Sequence, residues 1–336
     1  MFRSVVGLDI GGANLKAAHV NGTSLLQPFP LWKAPARLPD ALSRLLRELP
    51  SYELLAVTMT GELCDCFESK RQGVNAILDA VEALAHAVPV RVWQTDGRLV
   101  EIASARQCTV QTASANWLAL ATYAGRFAPS GHALLVDVGS TTTDIVPLCD
   151  GKPIPRGRTD PERLRCQELL YTGVRRTPLC ALLGAEAAAE LFATTQDVYL
   201  VLGKLPEDAS DSNTADGRPA TRALAQARLA RMLCSDLEIC TEAELRNLAL
   251  RACNRQALLV RQAMEKLAGN LKGPVGTVIL SGSGEFLARA ALELPLNNLS
   301  RLPPAERVVS LREKHGEAIS DAACAYALAV LGSEAE

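Results

Sequence analysis

The 336-residue chain is 48% hydrophobic and 21% charged, a globular composition that excludes disorder, collagen and coiled coil and, at roughly 150 residues per domain, predicts two domains. Its 35 basic and 37 acidic side chains leave a formal charge of -2, which gives no long-range pull toward nucleic acid or an anionic membrane. Aromatics at 4% leave little for stacking single-stranded nucleic acid.

Ser4 to Ile10 reads as a buried strand, an apolar run halted by Gly11-Gly12. A second strand over Leu15 to Val20, the turn Asn21-Gly22 and a third strand near Leu25 to Trp32 follow. Leucines at helical spacing predict a helix over Leu38 to Leu49, ended by Pro50. Then come a strand at Leu54 to Met59, a helix at Gly73 to Ala87, a strand at Val90 to Trp93 and a helix at Ser114 to Tyr123. A three-strand meander followed by alternating helices and strands predicts a mixed sheet covered by helices.

The pattern begins again at His132 to Val138, with a strand over Thr142 to Leu148 and a hairpin turn at Asp150-Gly151. Leu8-Asp9-Ile10-Gly11 aligns with Val136-Asp137-Val138-Gly139, so the chain reads as a duplication: residues 1–130 and 131–336, the second with a helical insertion over about 164–269. Within it, the polar stretch from Pro206 to Pro219 reads as a mobile loop rather than a site. Thr277 to Leu280 forms a strand entering Ser281-Gly282-Ser283-Gly284, a helix starts at Glu285, and Glu317 to Leu331 reads as a final amphipathic helix.

Three segments carry chemistry. In the first, a strand delivers Asp9 into Gly11-Gly12-Ala13-Asn14 ahead of Lys16. Glycines let backbone N–H groups approach phosphate oxygens, while Asp9 suits Mg2+ and Lys16 adds positive charge. The second offers Asp137, Gly139 and the hydroxyls of Ser140, Thr141, Thr142 and Thr143 before Asp144, again donors for phosphoryl oxygens and carboxylates for a metal. In the third, Gly282-Ser283-Gly284 opens a helix whose first amides are free. Each has a bland counterpart in an ordinary turn or a β-favouring Thr run, but two acid-tipped hairpins in matching positions would converge across one cleft.

Together these segments resemble the two phosphate elements and the adenosine element of the actin-like ATPase superfamily, and Asp137 to Ile145 is most similar to its hydantoinase A/oxoprolinase branch. Further strings narrow the resemblance: Thr60 to Phe67, Lys70 with Gly73-Val74, Ala115-Asn116-Trp117, Gly157 to Asp160 with Glu162-Arg163-Leu164, and Tyr171 to Pro178. These resemble a family attached to tetrahydromethanopterin-linked one-carbon transfer, whose archaeal members join an aminomethylfuran diphosphate to the phenol of a glutamyl-tyramine in methanofuran biosynthesis. The resemblance implies an α/β, ribonuclease H-like duplicated fold and a transferase that forms an aryl ether and releases diphosphate. It also implies magnesium on Asp9 and Asp137, and no ATP under this reading.

A leaving diphosphate must have its charge neutralised, a task suited to that metal, the hairpin amides, Lys16, Arg158 and Arg176. Glu62 and Asp65 follow a strand end, where such folds place ligands, and either suits the phenol proton. Lys70 and Asn116 complete the expected substrate contacts. The partners expected are small molecules, a diphosphate and a phenolic amine, with no nucleic acid and no membrane. Oligomeric state stays open, a homodimer included, and the start of the chain, which has no signal-peptide pattern, predicts a cytoplasmic protein. The scattered cysteines fit reduced, buried thiols, and Cys64-x-Cys66 lacks the second pair that zinc needs. Two readings compete: an ATP-dependent kinase or oxoprolinase-like hydrolase in the same cleft, and a non-catalytic module that binds a phosphorylated ligand or a pathway enzyme.

Overall fold

The computed structural model describes residues 4–84, 88–294, 302 and 307–335. Its first sheet contains β1 (Val5–Ile10), β2 (Asn14–His19), β3 (Ser24–Pro28), β4 (Leu54–Met59), β5 (Val90–Trp93) and β6 (Leu99–Val100), in the order β3-β2-β1-β4-β5-β6. The second contains β7 (His132–Val138), β8 (Thr143–Cys149), β9 (Lys152–Pro153), β10 (Leu169–Leu170), β11 (Val275–Ser281) and β12 (Val308–Ser310), in the order β10-β8-β7-β11-β12, with β9 paired to β8. In each sheet a hairpin is antiparallel to the founding strand, and the two strands beyond it on the other side run parallel: β1 with β4 and β4 with β5, β7 with β11 and β11 with β12. This repeated 3-2-1-4-5 arrangement is the duplicated, actin-like architecture expected from the paired hairpins.

Both founding strands are near-continuous apolar runs because both of their faces are covered. On the inner side, helices Asn116–Ala124 and Ala323–Glu334 lie in one core with Val5, Leu54 and Ala56 of the first sheet and Ala133, Leu135, Val146 and Ile279 of the second. The C-terminal helix thereby returns to the first sheet. It is buried on nearly every side, which explains why it lacks the polar stripe of the expected amphipathic helix. That element is also two helices, Glu317–Asp321 and Ala323–Glu334, parted at Ala322.

Other departures have local causes. The third strand stops at Pro28 instead of reaching Trp32, because Phe29 and Leu31 donate their amides to Ala13 and Gly12 and turn the chain toward the first hairpin. The second helix is Lys70–Glu82, capped by the Ser69 hydroxyl, and residues 85–87 of the expected element lie outside the described residues. Short elements went unread: β6, helices Ile102–Gln107 and Thr109–Thr112, and β10, which returns inside the insertion to pair with β8. The polar loop is tied down rather than loose, since Asp216 accepts the buried Arg228 guanidinium at 3.0 Å and Arg218 at 2.7 Å. Among the described residues, no helix is long and apolar enough to cross a membrane.

Candidate active site

The two sheets present their first hairpins to one cleft of about 470 Å3. Its wall carries Asp9, Gly11, Gly12, Asn14 and Lys16 from the first half, and Asp137, Gly139, Ser140, Thr141 and Thr142 from the second. The hairpins are alike in detail. Gly11 N–H donates to Asn14 O at 3.0 Å and Gly139 N–H to Thr142 O at 2.9 Å, so the amides of the two leading glycines close the turns and are not the ones left for a ligand. The residues that follow, Gly12 and Ala13 and Ser140 and Thr141, line the cleft, and their amides have no backbone partner among the described residues, the kind of successive N–H groups from which anion-binding concavities are made.

The second hairpin is braced from behind, which accounts for the Tyr171 to Pro178 string. Val174 N–H donates to Gly139 O, and Arg175 and Arg176 N–H both donate to Ser140 O, at 3.0, 2.9 and 3.1 Å. A Cβ on Gly173 would stand 2.5 Å from Gly139 O, so only glycine lets this brace approach. Arg176 extends into the cleft with its guanidinium 4.7 Å from the Trp32 ring centre.

Cross-strand register sets the electrostatics. Asp9 on β1 is directly opposite Lys16 on β2, which puts both side chains on one face of the sheet. Burial pushes the Asp9 carboxyl up, with Lys16 and a 3.5 Å hydrogen bond from Asn116 pulling it partly back. Asp9 Oδ1 is buried without a partner. Burial opposes charge on Lys16, yet Asp9, then Asp137 and Asp321, outweigh it and hold the ammonium above its ordinary range. Asp137 is pushed up to about 6 by burial and by Asp144. Asp144 in turn is paired at 2.7 Å with Arg163, which is fully buried and stacks 3.9 Å over Trp117.

The shift at Asp137 has a measurable sign. An acid whose folded pKa exceeds its unfolded value near 4 destabilises the fold when ionised; the penalty is present above about pH 6 and disappears below pH 4. Asp137→Asn is therefore expected to stabilise the protein by about 1–2 kcal/mol at pH 7.5 and to make no difference at pH 4, read as paired melting curves. A variant less stable than the parent at pH 7.5 would contradict the assigned burial.

The remaining expected residues divide. Asp65 and Asn116 line the cleft, Asn116 bridging Asp9 Oδ2 and the Trp117 amide. Glu62 also lines it; its side chain is completely buried, and Gly73 packs against its backbone so closely that a Cβ there would lie 2.1 Å from Glu62 O. Lys70 is not on the wall, because its ammonium is spent on Asp160 at 2.7 Å, with Glu62 at 3.7 Å. Arg158 is likewise drawn away by the Thr95 carbonyl at 2.6 Å. Gly282, Ser283 and Gly284 do not line the cleft either. They pack behind the second hairpin, where a Cβ on Gly282 would be 2.3 Å from Val138 O and one on Gly284 2.3 Å from Val138 Cγ1.

Ser114, Asp160, Trp32 and Tyr171 join the wall without having been singled out as site residues. Asp160 reads in sequence as the acidic first residue of a capped helix, Asp160–Cys166, and a lone serine between alanines carries no signal.

Two acid-tipped hairpins of a duplicated actin-like fold thus share one cleft, and a family model agrees with the branch that the sequence resembles: residues 53–309 match Hydantoinase/oxoprolinase, and the chain belongs to that family. Over 338 residues it is 31% identical to the (4-{4-[2-(gamma-L-glutamylamino)ethyl]phenoxymethyl}furan-2-yl)methanamine synthase of Methanocaldococcus jannaschii, covering 97% of each chain. A protein of the same name from Methanococcus vannielii is 34% identical, over 60% of this chain and 90% of its own. Among solved structures, an archaeal actin homologue in complex with ADP aligns at 14% identity and TM-score 0.47, covering 99% of this chain and all of the other. A ROK hexokinase from Thermus thermophilus aligns at 19% identity and TM-score 0.43, covering 96% and 98%.

Proposed function

We propose that this protein builds the aryl ether of a methanofuran-type cofactor. In this reaction the phenol oxygen of a glutamyl-tyramine attacks the methylene carbon of an aminomethylfuran-methyl diphosphate, forming the C–O ether bond as the C–O bond to diphosphate breaks. The observation that carries the reading is the facing pair of hairpins, joined to similarity over 97% of the chain with a synthase whose name specifies a phenoxymethylfuran product. The electron-rich furan helps the carbon bear positive charge, so the main demand on the protein is to neutralise the leaving group.

The donor set suits magnesium. Asp9, with an unpartnered buried oxygen, and Asp137 on the facing hairpin are hard carboxylate ligands, and hydroxyls and amides surround them. Asp9 and Asp137 would hold the ion, which, when bound, offsets charge on the departing diphosphate. Lys16 adds the fixed cation, the Gly12, Ala13, Ser140 and Thr141 amides donate to phosphoryl oxygens, and Arg176 on Trp32 meets an anionic group at the cleft mouth.

The test is direct. Protein incubated with Mg2+, the furan diphosphate and tyramine or glutamyl-tyramine is expected to release one diphosphate per ether formed, with neither substrate alone consumed and no need for ATP. Turnover that requires ATP, or intact folded protein that gives no ether, would overturn the proposal.

A further inference from the structure

A proton count in the cleft wall yields a role for residues outside the expected site. Ser114 Oγ lies 2.6 Å from Glu62 Oε1 and 2.8 Å from Asp160 Oδ2. Both separations require a hydrogen between oxygens, and a serine hydroxyl supplies one. A second proton must therefore sit on a carboxyl group. Lys70 decides which: its ammonium is bonded to Asp160 Oδ2 at 2.7 Å and stands off at 3.7 Å from Glu62, so Asp160 is the ion. Glu62 is completely buried, its Oε2 has no partner, and burial raises its affinity for the proton. Glu62 is thus the neutral acid, donating through Oε1 to Ser114, which donates to Asp160.

The arrangement is built across the cleft. Glu62 and Lys70 follow β4, Ser114 follows the bridge between Ala113 and Met59, and Asp160 comes from the other half of the chain. Ser114 holds its place with φ of 49°, a left-handed conformation that is uncommon for serine and is retained where surroundings impose it.

We propose that Glu62, Ser114 and Asp160 form a proton relay that deprotonates the attacking phenol. The inference rests on the ether-forming reading above. The phenol O–H donates to Ser114 Oγ, which lines the cleft and is held by the buried Glu62 acid, and its proton passes to Ser114 Oγ as the Ser114 proton passes to Asp160 Oδ2. Glu62 begins and ends neutral, Asp160 gains the one proton the phenol loses, and its 27% exposure lets it return that proton to water. Ser114 is then the catalytic residue at the substrate, Asp160 takes the proton through it, and Glu62 positions its hydroxyl.

The test compares the parent with Ser114→Gly, which tolerates the left-handed backbone, and Asp160→Asn, using tyramine and a ring-fluorinated tyramine of more acidic phenol. Both variants are expected to lose about 10²-fold in kcat with tyramine, with KM for the furan diphosphate unchanged and most of the loss recovered with the fluorinated acceptor. A loss equal for both acceptors, or Ser114→Gly within twofold of the parent, would overturn the relay while leaving the ether-forming reading intact. No ether from the parent protein would remove that reading itself. Independently of activity, the infrared spectrum at pH 7 is expected to show a protonated carboxyl band that Glu62→Gln abolishes; its absence from the parent would overturn the assignment of the proton.

Discussion

Lys16→Met is expected to lower kcat for ether formation by about 10²–10³-fold, the loss that follows removal of one fixed donor from a charge-stabilising site. Lys16 is opposite Asp9 in the β1–β2 register and lies in the field of Asp137 and Asp321 as well. It neutralises acids brought in by both halves of the chain, and it lines the cleft between the two hairpins. Methionine keeps the hydrocarbon stem and discards the charge. Two measurements separate the effects: kcat at saturating substrate, and the affinity for Mg-diphosphate, which should weaken in parallel. A variant within threefold of the parent in both would mean that Lys16 is a structural counter-ion only.

The largest expected loss of stability comes from a residue far less conspicuous. Gly7→Ala would place a Cβ 1.9 Å from Ala325 O and 2.7 Å from Ala329 N, both main-chain atoms of the helix Ala323–Glu334. No side-chain rotation relieves that contact, so either β1 or the helix must move away, and that helix fills the core shared by the two sheets. The cost is expected to be about 3 kcal/mol or more, the upper part of the range for overpacking, seen as a fall in Tm of several degrees. Because β1 also carries Asp9, activity should fall even in the fraction that folds. Unchanged melting would show that the helix sits farther from β1 than described.

The architecture was legible because its signals are short-range and repeated. Apolar runs ending in Asp-x-Gly at Asp9 and at Asp137, each followed by a second strand and a turn, define two hairpins, and two hairpins with helices imply two sheets. The cleft floor was legible for the same reason: Asp9, Lys16, Asp137 and Ser140 to Thr142 stand within those motifs. What escaped depends on contacts between distant segments. Lys70 and Arg158 have the charge of substrate ligands, but Asp160 and the Thr95 carbonyl, each from the opposite half, claim them first. Gly282 and Gly284 have the look of a ligand-facing turn, yet they are small so that the turn can pack on Val138. Ser114 had no pattern at all; its role comes from Glu62 and Asp160 lying on either side of it. The break at Ala322 and the all-round burial of the last helix likewise reflect its place between sheets, which hydrophobic periodicity along one segment does not report.

The central claim is that two matched bends, one from each half of the chain, grip a single polyphosphate. The most direct measurement is a crystal structure of the protein grown with Mg2+ and diphosphate. Diphosphate is expected between the hairpins, its oxygens on the amides of Gly12, Ala13, Ser140 and Thr141, with Lys16 beside it and the cation on Asp9 and Asp137. Diphosphate bound elsewhere, or a cleft in which those amides face only water at saturating ligand, would contradict it.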